Sequence, residues 1–123
     1  MANEPKKIMI NDVEYIPTSE VKDKATEKKG MEYVIIRADR AGVFAGYLEK
    51  RTGGEVVLQE CRRIWYWDGA ASISQLAIDG VSKPQNCKFP EAVDRAEILG
   101  VIEVLLCTEK ARKSIATVGI WKQ

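Results

Sequence analysis

The chain has 123 residues, 46% of them hydrophobic and 30% charged, with a formal net charge of +1. That suffices for one packed domain, and it excludes a disordered or fibrous chain and an overall field that would draw in nucleic acid. No apolar run approaches the ~18 residues of a membrane span, and MANEPKKIMIND has neither a long apolar stretch nor a small-residue cleavage site, so a cytoplasmic protein with no membrane partner is expected.

Taken in order, KIMINDVEYI has two short apolar runs around Asn11-Asp12, a pair that tolerates the left-handed backbone of a tight turn. Residues 1–17 are therefore expected as an N-terminal β-hairpin arm closed by Pro17. Residues 18–30 carry only Val21 and Ala25 as apolar residues, which predicts a charged linker or a short helix capped by Ser19 and ended by Gly30. The β-rich core domain is expected over 31–123. EYVIIRAD reads as a buried strand, Ala41-Gly42 as a turn, and VFAGYLEKR as a second strand. Gly46 inside that strand marks a bend or a close backbone approach. Gly53-Gly54 is the next hairpin turn, and EVVLQECRRIWYW reads as a long third strand of an antiparallel meander.

Beyond Asp68-Gly69, the spacing of Ile73, Leu76 and Ala77 predicts a short inserted helix ended by Gly80. VSKPQNCKFPE reads as a surface loop, and AVDRAEILGVIEVLLC as one bent strand or two strands meeting at Gly100. Thr108-Glu109 starts a C-terminal helix, after which Ile120 and Trp121 are expected to fold back on the body. The whole reads as a mainly β, α+β fold: a small bent antiparallel barrel or sheet. GVFAGYL followed by EVVLQEC resembles the first half of an Sm-like or SH3-like barrel.

The chain has three cysteines, Cys61, Cys87 and Cys107, without CxxC spacing, so buried reduced thiols are expected. It has no histidine, which removes the commonest general base near neutral pH and a usual metal ligand. A non-catalytic protein is expected, with no metal and no cofactor.

RRIWYWDGAASISQ is the segment densest in unusual residues. On a strand, Trp65 and Trp67 share one face and Arg62 and Arg63 point to opposite faces. A Gly69–Ser74 turn into a helix offers free amides, with Ser72 and Ser74 adding hydroxyls. Aromatic faces beside amides and arginine suit a nucleotide-like or nucleic-acid ligand, with Arg62, Arg63, Trp65, Trp67, Gly69, Ser72 and Ser74 as the candidate site. The competing assignment makes both tryptophans core, both arginines solvated, and Ser72 a helix cap. Asp68 beside the turn opposes an anion there.

AGVFAGYL, RRIWYWDGAASISQLAIDGV, CKFP, CTEKARKSI and the terminal Trp-Lys together resemble a family of small bacteriophage proteins with no assigned function. The resemblance covers Glu32 to Lys122, with RRIWYWxGAASxSQLA as its signature; related chains carry serine in place of Asp68. It implies a phage or prophage origin, with action in the host bacterial cytoplasm or a place in the virion, and implies no activity. Two functions follow: a ligand binder such as one sequestering a host defence signal, or a protein–protein module contacting a host or phage protein. An RNA-binding ring would rest on the barrel likeness alone. An exposed Trp-Tyr-Trp strand and free sheet edges also predict a homo-oligomer.

Overall fold

The computed structural model describes residues 8–10, 13–15 and 23–123. Strands β1 (Ile8–Ile10) and β2 (Val13–Tyr15) form the expected antiparallel hairpin, with Ile8 opposite Tyr15. The proposed turn residues Asn11 and Asp12, like 18–22 of the charged stretch, lie outside the described residues. Residues 23–30 of that stretch are not helical. The Ala25 amide donates to the Cys107 carbonyl at 3.0 Å and the Ala25 side chain is buried, so this part of the stretch is laid against the body.

The meander is β3 (Glu32–Ala38), β4 (Gly42–Thr52) and β5 (Glu55–Arg63). With β6 (Val93–Ile98) and β7 (Val101–Leu106) it makes one five-stranded antiparallel sheet of order β6-β5-β4-β3-β7. Helices α1 (Ile73–Asp79) and α2 (Glu109–Thr117) complete a mainly β architecture. EYVIIRA is nearly continuously apolar because both faces of its strand are covered. Tyr33 and Ile35 pack with α1 and α2, through Leu76, Ala77, Ala111 and Ile115, whereas Val34, Ile36 and Ala38 join Phe44, Val56 and Leu58 in a second cluster. The helices start where the side chains dictate. Ser72 Oγ accepts from the Gln75 amide and Thr108 Oγ1 from the Ala111 amide, and Gly80, at φ +75°, ends α1.

Gly46 sits where two backbones crowd. The β4–β5 register steps from Ala45↔Arg62 to Tyr47↔Gln59, leaving Glu60 as an extra residue at φ +51°, a β-bulge. A Cβ on Gly46 would lie 2.9 Å from the Gln59 carbonyl oxygen and 3.2 Å from Cys61 Cα. The bulge shifts the phase of the strand. Before it Val56 and Leu58 enter the second cluster; after it Cys61 does, which sends Arg62 and Ile64 to the helix side.

Four expectations are corrected. First, β5 ends at Arg63 rather than Trp67, because the Ile64 amide still bonds Val43 O at 2.8 Å whereas Trp65 and Tyr66 turn to Lys88 instead. Second, the sheet is open among the described residues, not a closed barrel. The 93–106 stretch is two strands on opposite edges, joined by Leu99 and Gly100 at φ +72°. At this corner Gly100 O accepts from the Asp39 amide and the Val101 amide donates to Gly54 O, both at 2.8 Å. The corner's bonding groups thus go to the tips of the two hairpins, and β7 runs on to β3 rather than back along β6. Third, the 81–91 loop is not merely surface: it drives Phe89 into the core, fully buried beside Val81 and Cys87. Fourth, the C-terminus does fold back, the Trp121 amide donating to Phe89 O at 3.0 Å, but the Ile120 and Trp121 side chains stay exposed. The three cysteines are free and buried, and burial pushes the Cys61 thiol up to about 11 and the Cys107 thiol to about 12.

Gly46→Val would force a branched side chain into the bulge backbone. It is expected to lose about 1–3 kcal/mol of unfolding free energy in urea titrations, from overpacking; a parental midpoint would exclude the close approach.

Candidate binding face

At the end of β5 the two arginines diverge. Arg62 is only 8% exposed, and all three of its guanidinium nitrogens donate to main-chain carbonyls. Nε donates to Pro90 O at 2.9 Å and Nη1 to Ile115 O at 2.8 Å. Nη2 donates to Phe89 O, Val118 O and Gly119 O at 3.2, 2.7 and 3.1 Å. A cation is thus buried on the carbonyl end of α2, where the helix dipole is negative, and burial draws its pKa below the ordinary arginine value. Arg63, on the other face, donates to Ala41 O at 2.9 Å and lies 4.5 Å from the Phe44 ring centroid.

The chain then leaves the sheet. The Trp65 and Tyr66 amides donate to Lys88 O at 3.1 and 3.3 Å, and the Lys88 amide returns to Tyr66 O at 2.8 Å. This pairing sets Lys88 opposite Tyr66 and, one residue on, turns Phe89 inward. Phe89 O then accepts both Arg62 Nη2 and the Trp121 amide, so 65–66, 88–89 and 120–121 lie side by side above the buried guanidinium. The outcome is an aromatic face: Trp65 is 59% exposed, Tyr66 48% and Trp121 39%. The Trp65 and Trp121 rings stack at 5.3 Å and 27°. Lys88 Nζ stands 5.5, 5.9 and 5.7 Å from the centroids of Trp65, Tyr66 and Trp121. One ammonium shared by three exposed rings is a cation–π cluster.

The rest of the expected site is placed elsewhere. Trp67 is half-buried, packs on the helix-side core, and donates from Nε1 to Ala70 O at 3.2 Å. Gly69, at φ +94°, is closed against the Ser82–Lys83 backbone, where a Cβ would come within 2.5 Å of the Ser82 nitrogen. Ser72 caps α1, and Gln75 Oε1 folds back to accept from the Ala71 amide at 2.7 Å. Ser74 is exposed, with no side-chain hydrogen bond among the described residues. The Asp68 carboxylate accepts from Asn86 Nδ2 at 2.9 Å. Of the seven candidates, only Trp65 stands on the aromatic face. Arg62 lies directly beneath it, Arg63 is across the sheet, and Trp67, Gly69, Ser72 and Ser74 belong to the α1 approach.

Lys88, Tyr66 and Trp121 are the members of the face that local reasoning did not assign to a site. The alternation Lys88-Phe89, polar out and apolar in, was the signal available for the lysine.

Arg62→Ala should lose about 3 kcal/mol or more of stability, since each buried acceptor left unpaired costs about 1–3 kcal/mol. Arg63→Ala should cost about 1 kcal/mol at most, the value of a partly exposed cation–π contact. Equal urea midpoints for the two variants would contradict this arrangement.

Among curated proteins and among solved structures nothing matches the chain, and the Sm-like or SH3-like likeness has no support there. A family model described as a domain of unknown function (DUF6948) matches residues 31–115, from the residue before β3 into α2. The chain belongs to that family of uncharacterised domains.

Proposed function

We propose that this protein is a non-catalytic binder whose Trp65–Tyr66–Lys88–Trp121 face takes a nucleotide-like or single-stranded nucleic-acid ligand. The observation that carries the proposal is the single lysine held within 6 Å of three exposed aromatic rings. A base stacks on the open side of the Trp65–Trp121 pair, and Lys88 meets the phosphate that follows it. Stacking is tolerant of base identity because every base has a π-face. The non-catalytic reading is supported by the lack of histidine and by carboxylates engaged structurally: Glu49 with Arg95, Glu103 with Arg37, and Glu109 with Arg112. The resemblance to small bacteriophage proteins supports a role in the host bacterial cytoplasm, where holding a host defence signal would require no chemistry. Exposed Ile120 beside the face favours a second reading, a protein–protein interface on a host or phage partner, whether in the cytoplasm or in the virion.

Self-association is a separate proposal. β6 and β7 are both edge strands, and Val93, Leu99 and Ile102 along or between them are exposed. Such edges invite pairing between copies. Light scattering at micromolar concentration should give a multiple of the 13.8 kDa chain mass; a monomer mass overturns this.

The ligand proposal is tested by tryptophan fluorescence during titration with a single-stranded thymidine 12-mer and with ATP. Trp65→Ala should weaken binding roughly tenfold or more, the value of one stacked base. Lys88→Ala should reduce the salt slope by about one ion, as expected for one lost phosphate contact. Unchanged binding by Trp65→Ala rejects the face as the site. Quenching by neither probe, with a stoichiometric protein co-purifying and lost in Trp65→Ala, selects the interface reading.

A further inference from the structure

A separate cleft opens between the helix-side face of the sheet and α2, with a volume of about 330 Å³. Tyr33 and Tyr47 line it from the sheet, Arg112 and Ile115 from α2, Glu91 and Ile120 from the flanking segments. The size sits at the small end of ligand sites. Tyr33 is 7% exposed, and among the described residues its hydroxyl has no hydrogen-bond partner. A buried hydroxyl left unpaired is a cost that phenylalanine at the same place would avoid.

The charges around the cleft are already committed, with one exception. Arg62 is spent on five carbonyls, as described above. Arg112 donates to Glu109 from Nε at 3.1 Å and from Nη2 at 2.6 Å. Glu60 is paired with Lys28. Glu91, exposed at the rim, has no ion-pair partner among the described residues. The four charged residues of the lining, Arg62, Arg112, Glu60 and Glu91, sum to zero, so the lining carries no net charge of its own. Three polar groups of the lining make no hydrogen bond among the described residues, the Tyr33 and Tyr47 hydroxyls and the Glu91 carboxylate, which offer donors and an acceptor. The Tyr33 and Tyr47 rings meet edge to face at 5.0 Å and 72°, and Ile115 and Ile120 supply aliphatic wall.

We infer that this cleft is a second binding site, for a small uncharged nitrogen heterocycle that accepts a hydrogen bond from the Tyr33 hydroxyl and donates one to the Glu91 carboxylate. A neutral ring carrying both an acceptor and an N–H would serve Tyr33 and Glu91 together, and its flat faces suit the tyrosine and isoleucine walls. The cleft is distinct from the aromatic face and stands whether or not that face binds a nucleotide.

The test is a titration of the full-length ¹⁵N-labelled protein with adenine, uracil and nicotinamide, each to millimolar concentration. At least one should shift the amides of Ala92, Ala116 and Ile120. Tyr33→Phe should melt at or above the parent temperature, because it deletes only an unpaired hydroxyl, yet bind the same compound roughly tenfold more weakly, the equivalent of one hydrogen bond. Glu91→Ala, a change at the exposed rim, should weaken it too, whereas Trp65→Ala should leave it unaltered. No shift with any of the three compounds overturns the inference. So does parental affinity in Tyr33→Phe, or loss of the shifts in Trp65→Ala, which would move the compound to the aromatic face.

Discussion

The buried guanidinium of Arg62 is the interaction on which the arrangement depends. It draws together Phe89 and Pro90 from one connection and Ile115, Val118 and Gly119 from the end of α2, none of them near it in sequence. It acts without a carboxylate: the carbonyl dipoles at the negative end of a helix replace the water it has lost. Removing it would leave those carbonyls unpaired at the point where two chain segments meet. The exposed aromatic face rests on this point, since Phe89 O serves both Arg62 and the Trp121 amide.

Arg62 reaches that position only because of the bulge at Glu60. Had β5 kept simple alternation, residue 62 would have followed Val56 and Leu58 to the other face of the sheet. The extra residue reverses the phase, and it needs Gly46 opposite because any side chain there would strike the bulge backbone. A glycine in one strand thus sets where a cation in the next strand goes, and so where the C-terminal segment docks.

The two sides of the sheet are used differently. On the helix side α1 and α2 close most of the core, but Tyr33, Tyr47, Arg112 and Ile115 leave a cleft beneath α2. On the other side the sheet buries its own second cluster and, among the described residues, stays open between β6 and β7. At the start of α2, Glu109 accepts from the Thr26 amide at 2.9 Å and from Arg112, and Arg112 above all holds its carboxyl down at about 2. This ties the segment entering β3 to α2, and closes the domain at the end away from Arg62.

The sequence by itself determined what depends on near neighbours. The meander follows from β-branched runs and glycine turns, α1 and α2 from Ser72, Gly80 and Thr108, and the crowding at Gly46 from a glycine in an apolar strand. The opposite pointing of Arg62 and Arg63 was legible from alternation in the same way. Only the tertiary structure decided which arginine went inward, because a bulge is an agreement between two strands and leaves no periodic mark in either. Likewise Lys88 and Trp121 join Trp65 through backbone pairings across more than twenty residues of chain, and 93–106 divides between opposite sheet edges through bonds to Gly54 and Asp39. Local pattern carries the elements and the direction of each side chain. It does not carry the long-range hydrogen bonds that choose among the placements those elements allow.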